Sequence, residues 1–298
     1  MPKGRLLMIN SQSMPAIKWD LLLRYRLIEI ICFWEGRLTT NHLQNAFKIG
    51  RQQASKDINV YKKAYPRNLE YDLQLKGYRP TKNFTAVYTK GTVDEYLHLL
   101  KTSMDLGQRY ADTFLPQANT EVILPLSRGV TPEILRPVIQ ACRENRRLDI
   151  KYVSLSSADQ TEERLICPHT LVNSGFRWHV RAYCEKNQQY RDFVLSRMEG
   201  IPEVEDEADY TIENDEAWNT EVQLIIRPHQ GLTESQKRVI EKDYSMLEGE
   251  LVVPTRGALV EYMLQILRID KQTDKRPAVQ QQVELANFSD VKRWCFGG

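Results

Sequence analysis

Between Arg37 and Thr81 the chain reads RLTTNHLQNAFKIGRQQASKDINVYKKAYPRNLEYDLQLKGYRPT, and its apolar spacing leaves few ways to fold. Leu43, Ala46 and Phe47 make a short helical stripe over residues 40–48, stopping at Ile49-Gly50, where glycine lets the backbone turn. A second helix is expected over residues 51–65, because Ala54, Ile58, Tyr61 and Tyr65 recur at helical steps and put one stripe inward. Pro66 ends it. Leu69, Tyr71 and Leu73 then alternate up to Lys76-Gly77, the pattern of a short hairpin. Helix, turn, helix and hairpin in this order read as a winged helix-turn-helix.

The face opposite the stripe carries Gln52, Gln53, Ser55, Lys56, Asn59 and Lys62. Asn and Gln can pair with adenine edges through two hydrogen bonds, Arg and Lys pair with guanine, and Lys reaches phosphate. Asp57 is the one acid that interrupts the face. Such a helix alone is better explained by solvation of a polar surface; the ordered elements around it reverse that preference in favour of double-stranded DNA. With Thr40 and Arg51 at the two helix starts and Lys76 and Arg79 on the hairpin, these residues form the expected DNA-contacting set.

Charge is distributed accordingly. Residues 1–90 carry 16 Lys and Arg against 6 Asp and Glu, net +10, whereas residues 91–298 carry 25 against 33, net −8, which the whole-chain value of +2 conceals. A basic segment attracts polyanions in a salt-dependent way. The five cysteines (Cys32, Cys142, Cys167, Cys184 and Cys295) lack zinc-site spacing and suit free thiols in a reducing compartment. No signal peptide opens the chain, and the apolar segment from Ile17 to Trp34 is broken by five charges, so a soluble, cytoplasmic protein without membrane contact is expected.

In chain order, residues 1–15 read as a loose leader and residues 16–35 as the scaffold helix of a winged domain spanning 1–91. Thr92 and Glu95 fit a capping box that begins a helical linker over 92–120, with an extended crossing between Arg109 and Pro125. Thr131-Pro132-Glu133 starts another helix, which ends in the basic run Arg143 to Arg147. Alternation then replaces helical spacing, from Leu148 to Val153 and, more strongly, in FRWHVRAYC from Phe176 to Cys184. There Phe176, Trp178, Val180 and Ala182 face one way and Arg177, His179, Arg181 and Tyr183 the other. A turn at Lys186-Asn187-Gln188 leads into a last strand. One helix followed by four or five short strands over 121–202 suggests a small Sm-like β-barrel. Residues 203–216 hold eight acids and no base and read as a solvated linker over 203–217. A strand–helix–strand–helix pattern over 218–298 suggests a small α/β extension, so the fold class is α+β and multidomain.

The stretch Leu148 to Gly200, with Tyr152 and Ser154, Pro168-His169, Arg177-Trp178-His179-Val180, Ala182-Tyr183 and Arg191-x-Phe193-x-Leu195-x-Arg197, resembles a WYL domain. Trp178-His179-Val180 stands where that family has its Trp-Tyr-Leu triplet. The layout is similar to bacterial transcriptional regulators of that family, and with the RQQASKDI recognition helix it most resembles the BrxR-type, BREX-associated repressors of phage-defence islands. The resemblance implies a homodimeric repressor on an inverted-repeat operator, dimerised by its C-terminal extension. It also implies an effector of nucleotide or short nucleic-acid type; an activator enabled by single-stranded DNA fits the same resemblance.

The candidate effector residues are Tyr152, Ser154, His169, Arg177, His179, Arg181, Arg191 and Arg197, because guanidinium forks and hydroxyls together suit an anion. Tyr152, His169, Arg191 and Arg197 are favoured by the resemblance. Nearby acids, Glu162, Glu163, Glu185 and Asp192, offer these bases internal partners instead. The chain contains no GxSxG, HExxH, GxGxxG or Walker A stretch, so neither an enzyme nor a cofactor or metal site is expected. A nucleic-acid-processing enzyme and an RNA-binding Sm-like adaptor stay open as alternatives.

Overall fold

The computed structural model describes residues 17–107, 121, 123, 126, 128–155, 161–269 and 276–295, and the chain divides into two units, 1–123 and 124–298. The expected leader, nearly all of the crossing after Arg109 and most of the polar turn after Ser154 lie outside the described residues.

In the first unit, helix α1 (Trp19–Glu35) buries Ile28, Ile31 and Cys32 and stops at Gly36, whose φ of 71° returns its N–H to the Cys32 carbonyl. Helix α2 (Thr40–Phe47) follows, then α3 (Arg51–Ala64). The turn between them differs from expectation. Lys48 takes the left-handed backbone at φ 51°, at a cost of about 1 kcal/mol, whereas Gly50 is extended and caps α3. Strands β1 (Leu69–Asp72) and β2 (Gly77–Pro80) pair with Tyr71 opposite Tyr78, and Leu38 bridges Tyr78 from the other side. Asp72 shapes the hairpin loop by accepting from the Gln74 and Leu75 N–H groups. Helix α4 (Val93–Gly107) was expected to link domains, but Leu100 is buried and Glu95 pairs with Arg26 of α1 at 3.0 Å, so the packed unit continues past residue 91. Glu95 reaches back to the Lys90 and Gly91 N–H groups in place of the expected capping-box partner Thr92.

In the second unit, Thr131 precedes α5 (Pro132–Glu144) with Pro132 in the first turn, as expected. Five strands follow: β3 (Arg146–Val153), β4 (Thr161–Asn173), β5 (Trp178–Cys184), β6 (Gln189–Val194) and β7 (Met198–Glu207). Their order is β6-β5-β4-β3-β7, antiparallel throughout. A 3-10 turn, Leu195–Arg197, carries the chain between the two edge strands, but β6 and β7 share no ladder. The sheet is therefore open, and the expected barrel does not close.

The acidic stretch is likewise not a solvated linker. Its first part is β7, with Val204 opposite Leu148 and Glu203 opposite Asp149; Met198 and Pro202 are buried while Glu203, Glu205 and Glu207 point to solvent. The remainder forms a 3-10 turn and α6 (Glu216–Asn219), with Asp215 as the buried N-cap. The C-terminal part adds β8 (Glu221–Pro228), α7 (Glu234–Asp243), β9 (Leu251–Arg256), α8 (Val260–Ile266), α9 (Ala278–Gln281), β10 (Val283–Leu285) and α10 (Phe288–Val291), with sheet order β10-β8-β9. The expected strand–helix alternation is present, and the three-residue β10 is additional. Leu224, Ile226, Val260 and Val283 centre its core. Among the described residues no helix is long and apolar enough to cross a membrane.

Candidate nucleic-acid interface and ligand cleft

Helix α3 turns Ala54, Ile58 and Tyr61 into the core, and this sets what the opposite face offers. Arg51, Gln52, Gln53, Lys56 and Asn59 are exposed, and Ser55 and Lys62 are half-buried beside them. Asp57, expected to interrupt that face, is buried: its carboxylate lies 2.8 Å from Arg24 Nε on α1 and accepts from Gln53 Nε2 at 2.7 Å. The helix thus presents amides and cations outward with its acid neutralised inside. Thr40 is half-buried at the start of α2.

On the hairpin, Lys76 is exposed at the tip. Arg79 is exposed too, but its Nε lies 2.8 Å from Glu70 and 3.5 Å from Asp72, which reduces the charge it can offer. Sequence reasoning missed Tyr78. Its hydroxyl donates to Asn59 Oδ1 at 3.4 Å, its ring lies under Lys62 Nζ at 5.8 Å, and Tyr71 packs edge-on against it. The two tyrosines flank the loop symmetrically in the sequence, so hairpin register could have paired them.

In the second unit a cleft of about 770 Å³ lies between β5, β6 and the C-terminal part. Arg177, Arg181, Arg191 and Arg197 line one side, and Gly257, Tyr262 and Trp294 line the other. Arg181 is fully committed internally. Its Nε and Nη2 donate to the two oxygens of Asp215 at 2.7 and 3.1 Å, and Nη1 reaches Asp192 at 3.3 Å. His169 adds a contact to Asp215 at 3.2 Å. Burial pushes the Asp215 carboxyl up, but the hydrogen bonds from His169 and Arg181 outweigh it and hold it down at about 2. Arg177, Arg191 and Arg197 have no carboxylate within ion-pair distance among the described residues, although the Gln189 side-chain oxygen accepts from the Arg191 guanidinium, so Arg177 and Arg197 are the two left most available to an anion.

Four of the eight candidate effector residues therefore share the cleft. Tyr152 does not line it: the side chain is in the core, packed on Phe193, and its hydroxyl accepts from the Val194 N–H. His169 sits behind the lining in the Asp215 network, and Ser154, just after β3, does not line the cleft. His179 is wholly buried, stacked on Tyr262 with centroids 4.7 Å apart, and burial pushes its ring toward the neutral form. The strand face expected to be open is covered by the C-terminal part, with Tyr262 donating to Asp192 at 2.8 Å. Among the described residues no group of three or more His, Cys, Asp or Glu could hold a metal ion.

A winged helix with an amide- and lysine-bearing recognition helix, joined in one chain to a second unit built on an antiparallel sheet, defines a class of multidomain DNA-binding regulators. Comparison with known proteins agrees domain by domain. Residues 20–102 match the BrxR transcriptional regulator winged helix-turn-helix domain, residues 133–202 the WYL domain, and residues 221–291 the BrxR transcriptional regulator C-terminal dimerization domain. The DNA-binding transcriptional repressor CapW of Pseudomonas aeruginosa is 36% identical over 285 residues, covering 95% of this chain and 94% of its own. CapW of Escherichia coli (strain KTE188) is 32% identical, with coverage of 95% and 94%, and CapW of Stenotrophomonas maltophilia is 29% identical, with coverage of 96% of each. The chain belongs to this family of WYL-domain transcriptional repressors. A solved structure, the proteasome accessory factor B/C (PafBC) of Arthrobacter aurescens, aligns with 99% of this chain at 16% identity and a TM-score of 0.24; the chain spans about half, 51%, of its length.

Proposed function

We propose that the chain is a homodimeric repressor of a phage-defence operon that reads an inverted-repeat operator through α3 and is switched by an anionic effector in the arginine cleft. The observation that carries the DNA reading is the acid-free outer face of α3 beside the hairpin, within the family of CapW repressors. Arg51, Gln52, Gln53, Ser55 and Asn59 are assigned to base edges and Lys56, Lys62, Lys76 and Thr40 to the backbone, with Arg79 in a lesser role. A two-fold dimer places two such helices about one helical turn apart, or a multiple of it. The effector reading rests on Arg177 and Arg197, which lack acidic partners among the described residues, with Arg191 beside them held by Gln189. A ligand changes DNA affinity only by binding one dimer arrangement better than the other. Calorimetric titration with pyrophosphate and with short oligonucleotides tests that reading: binding lost in Arg177→Ala and Arg197→Ala supports it, and equal heats in wild type and both variants reject it.

A further inference from the structure

Glu29 lies wholly buried on α1, and among the described residues no cation comes within ion-pair distance of its carboxylate. It collects hydrogen bonds from two other segments. From α3, the Tyr61 hydroxyl donates to Oε1 at 2.8 Å. From the segment that leaves the hairpin, the N–H groups of Val87, Tyr88 and Thr89 donate at 3.0, 2.9 and 3.1 Å, and the Thr89 hydroxyl adds a bond at 3.1 Å. Three successive amides aimed at one anion form a nest. Asn68 closes the circuit: its Nδ2 donates to the Tyr61 oxygen and to the Thr85 carbonyl, both at 2.8 Å, and its Oδ1 accepts from the Thr85 N–H. Burial pushes the Glu29 carboxyl up, and the Tyr61 and backbone donors pull against it.

A buried carboxylate is a poor stabiliser, since apolar side chains of the same volume fill a core without its desolvation cost. What it supplies is direction, because each of its bonds holds in a narrow geometry. That distinction matters on this helix. Pairing an amide with adenine needs two aligned hydrogen bonds, whereas a lysine follows a phosphate through a range of helix positions.

We propose that Glu29 is a positioning residue for base reading: its carboxylate holds Tyr61, and with it the part of α3 bearing Lys56, Asn59 and Lys62, in register with the segment leaving the hairpin. Glu29 itself never reaches DNA.

The test uses the full-length protein, the duplex that wild type enriches from a random pool, and a scrambled duplex of the same composition. Glu29→Gln keeps the volume but leaves one acceptor oxygen and turns an NH₂ toward the amide donors. Its affinity for the enriched duplex should fall roughly tenfold, the loss of one two-bond base contact, while scrambled binding stays within about twofold and the salt dependence is unchanged. Tyr61→Phe and Thr89→Val, each removing one bond of the latch, should show the same selective loss in smaller measure. Should Glu29→Gln not fold, those two carry the test. A wild-type ratio of enriched to scrambled affinity in the folded variants, or a parallel fall for both duplexes, overturns the proposal.

Discussion

Arg181 on β5 and Asp215 at the start of α6 form a buried two-point ion pair, with Nε 2.7 Å from Oδ2 and Nη2 3.1 Å from Oδ1. It fastens the turn that follows β7 onto the WYL sheet beneath the cleft, and it explains why the most basic-looking strand position has no charge to spare for a ligand.

Removing one partner strands the other. Asp215→Ala leaves the Arg181 guanidinium buried with Asp192 as its remaining carboxylate among the described residues, and should cost about 3–5 kcal/mol, read as a lower midpoint for the second unit in urea unfolding of the whole chain. The same carboxylate fixes a pH dependence. Its folded value of about 2 lies below the ordinary 3.8, so its contribution is fully present above pH 4 and is lost as pH falls toward 2. Wild type should lose stability across that window more steeply than Asp215→Asn, which has nothing to protonate.

Lysine and amide substitutions on α3 should separate. Lys56→Ala and Lys62→Ala should weaken every duplex and lower the slope of log K against log salt by about one each. Gln53→Ala and Asn59→Ala should leave that slope alone and cost about 1–3 kcal/mol of discrimination at single base pairs. Fluorescence anisotropy on matched and mismatched duplexes, repeated at several salt concentrations, distinguishes the two outcomes.

On the hairpin, Lys76 and Arg79 are both exposed but offer unequal charge. Lys76→Ala should reduce the salt slope, whereas Arg79→Ala should do so by much less, since Glu70 and Asp72 already offset its charge. The same titrations read both.

Gly257 has no room for a side chain. A Cβ there would lie 2.8 Å from Trp294 Cδ2 and 3.0 Å from the Ala217 carbonyl, so Gly257→Ala must push the indole out of the cleft wall. The expected cost is about 1–3 kcal/mol, with a change in tryptophan emission, while DNA binding by the first unit at low temperature is retained.

What could be read in the sequence was local. The stripe of α3 and the alternation of the hairpin repeat within a few residues, so they emerged from spacing alone. Asp57 was legible too, since it falls at a helical step between Ala54 and Tyr61, but its charge argued for the outside and Arg24 lies 33 positions away. The acidic run misled because counting charges hides alternation: Met198, Pro202 and Val204 mark a strand whose outward positions are acids. Closure of the sheet depends on whether two edge strands meet, which no local pattern encodes. His179 and Arg181 looked open because strand period gives faces, not what covers them; Tyr262 and Asp215 do so from later in the chain. Glu29 read only as a charge interrupting an apolar segment, since its donors come from α3 and from the segment beyond the hairpin.

The most direct measurement is the affinity of the full-length protein for a duplex enriched from a random pool against its scrambled counterpart, at about 150 mM salt. A specific regulator of this kind should bind the enriched duplex at least about a thousandfold more tightly, and that duplex should contain an inverted repeat. Equal affinity for both duplexes, or enrichment without two-fold symmetry, would contradict base reading by a paired α3.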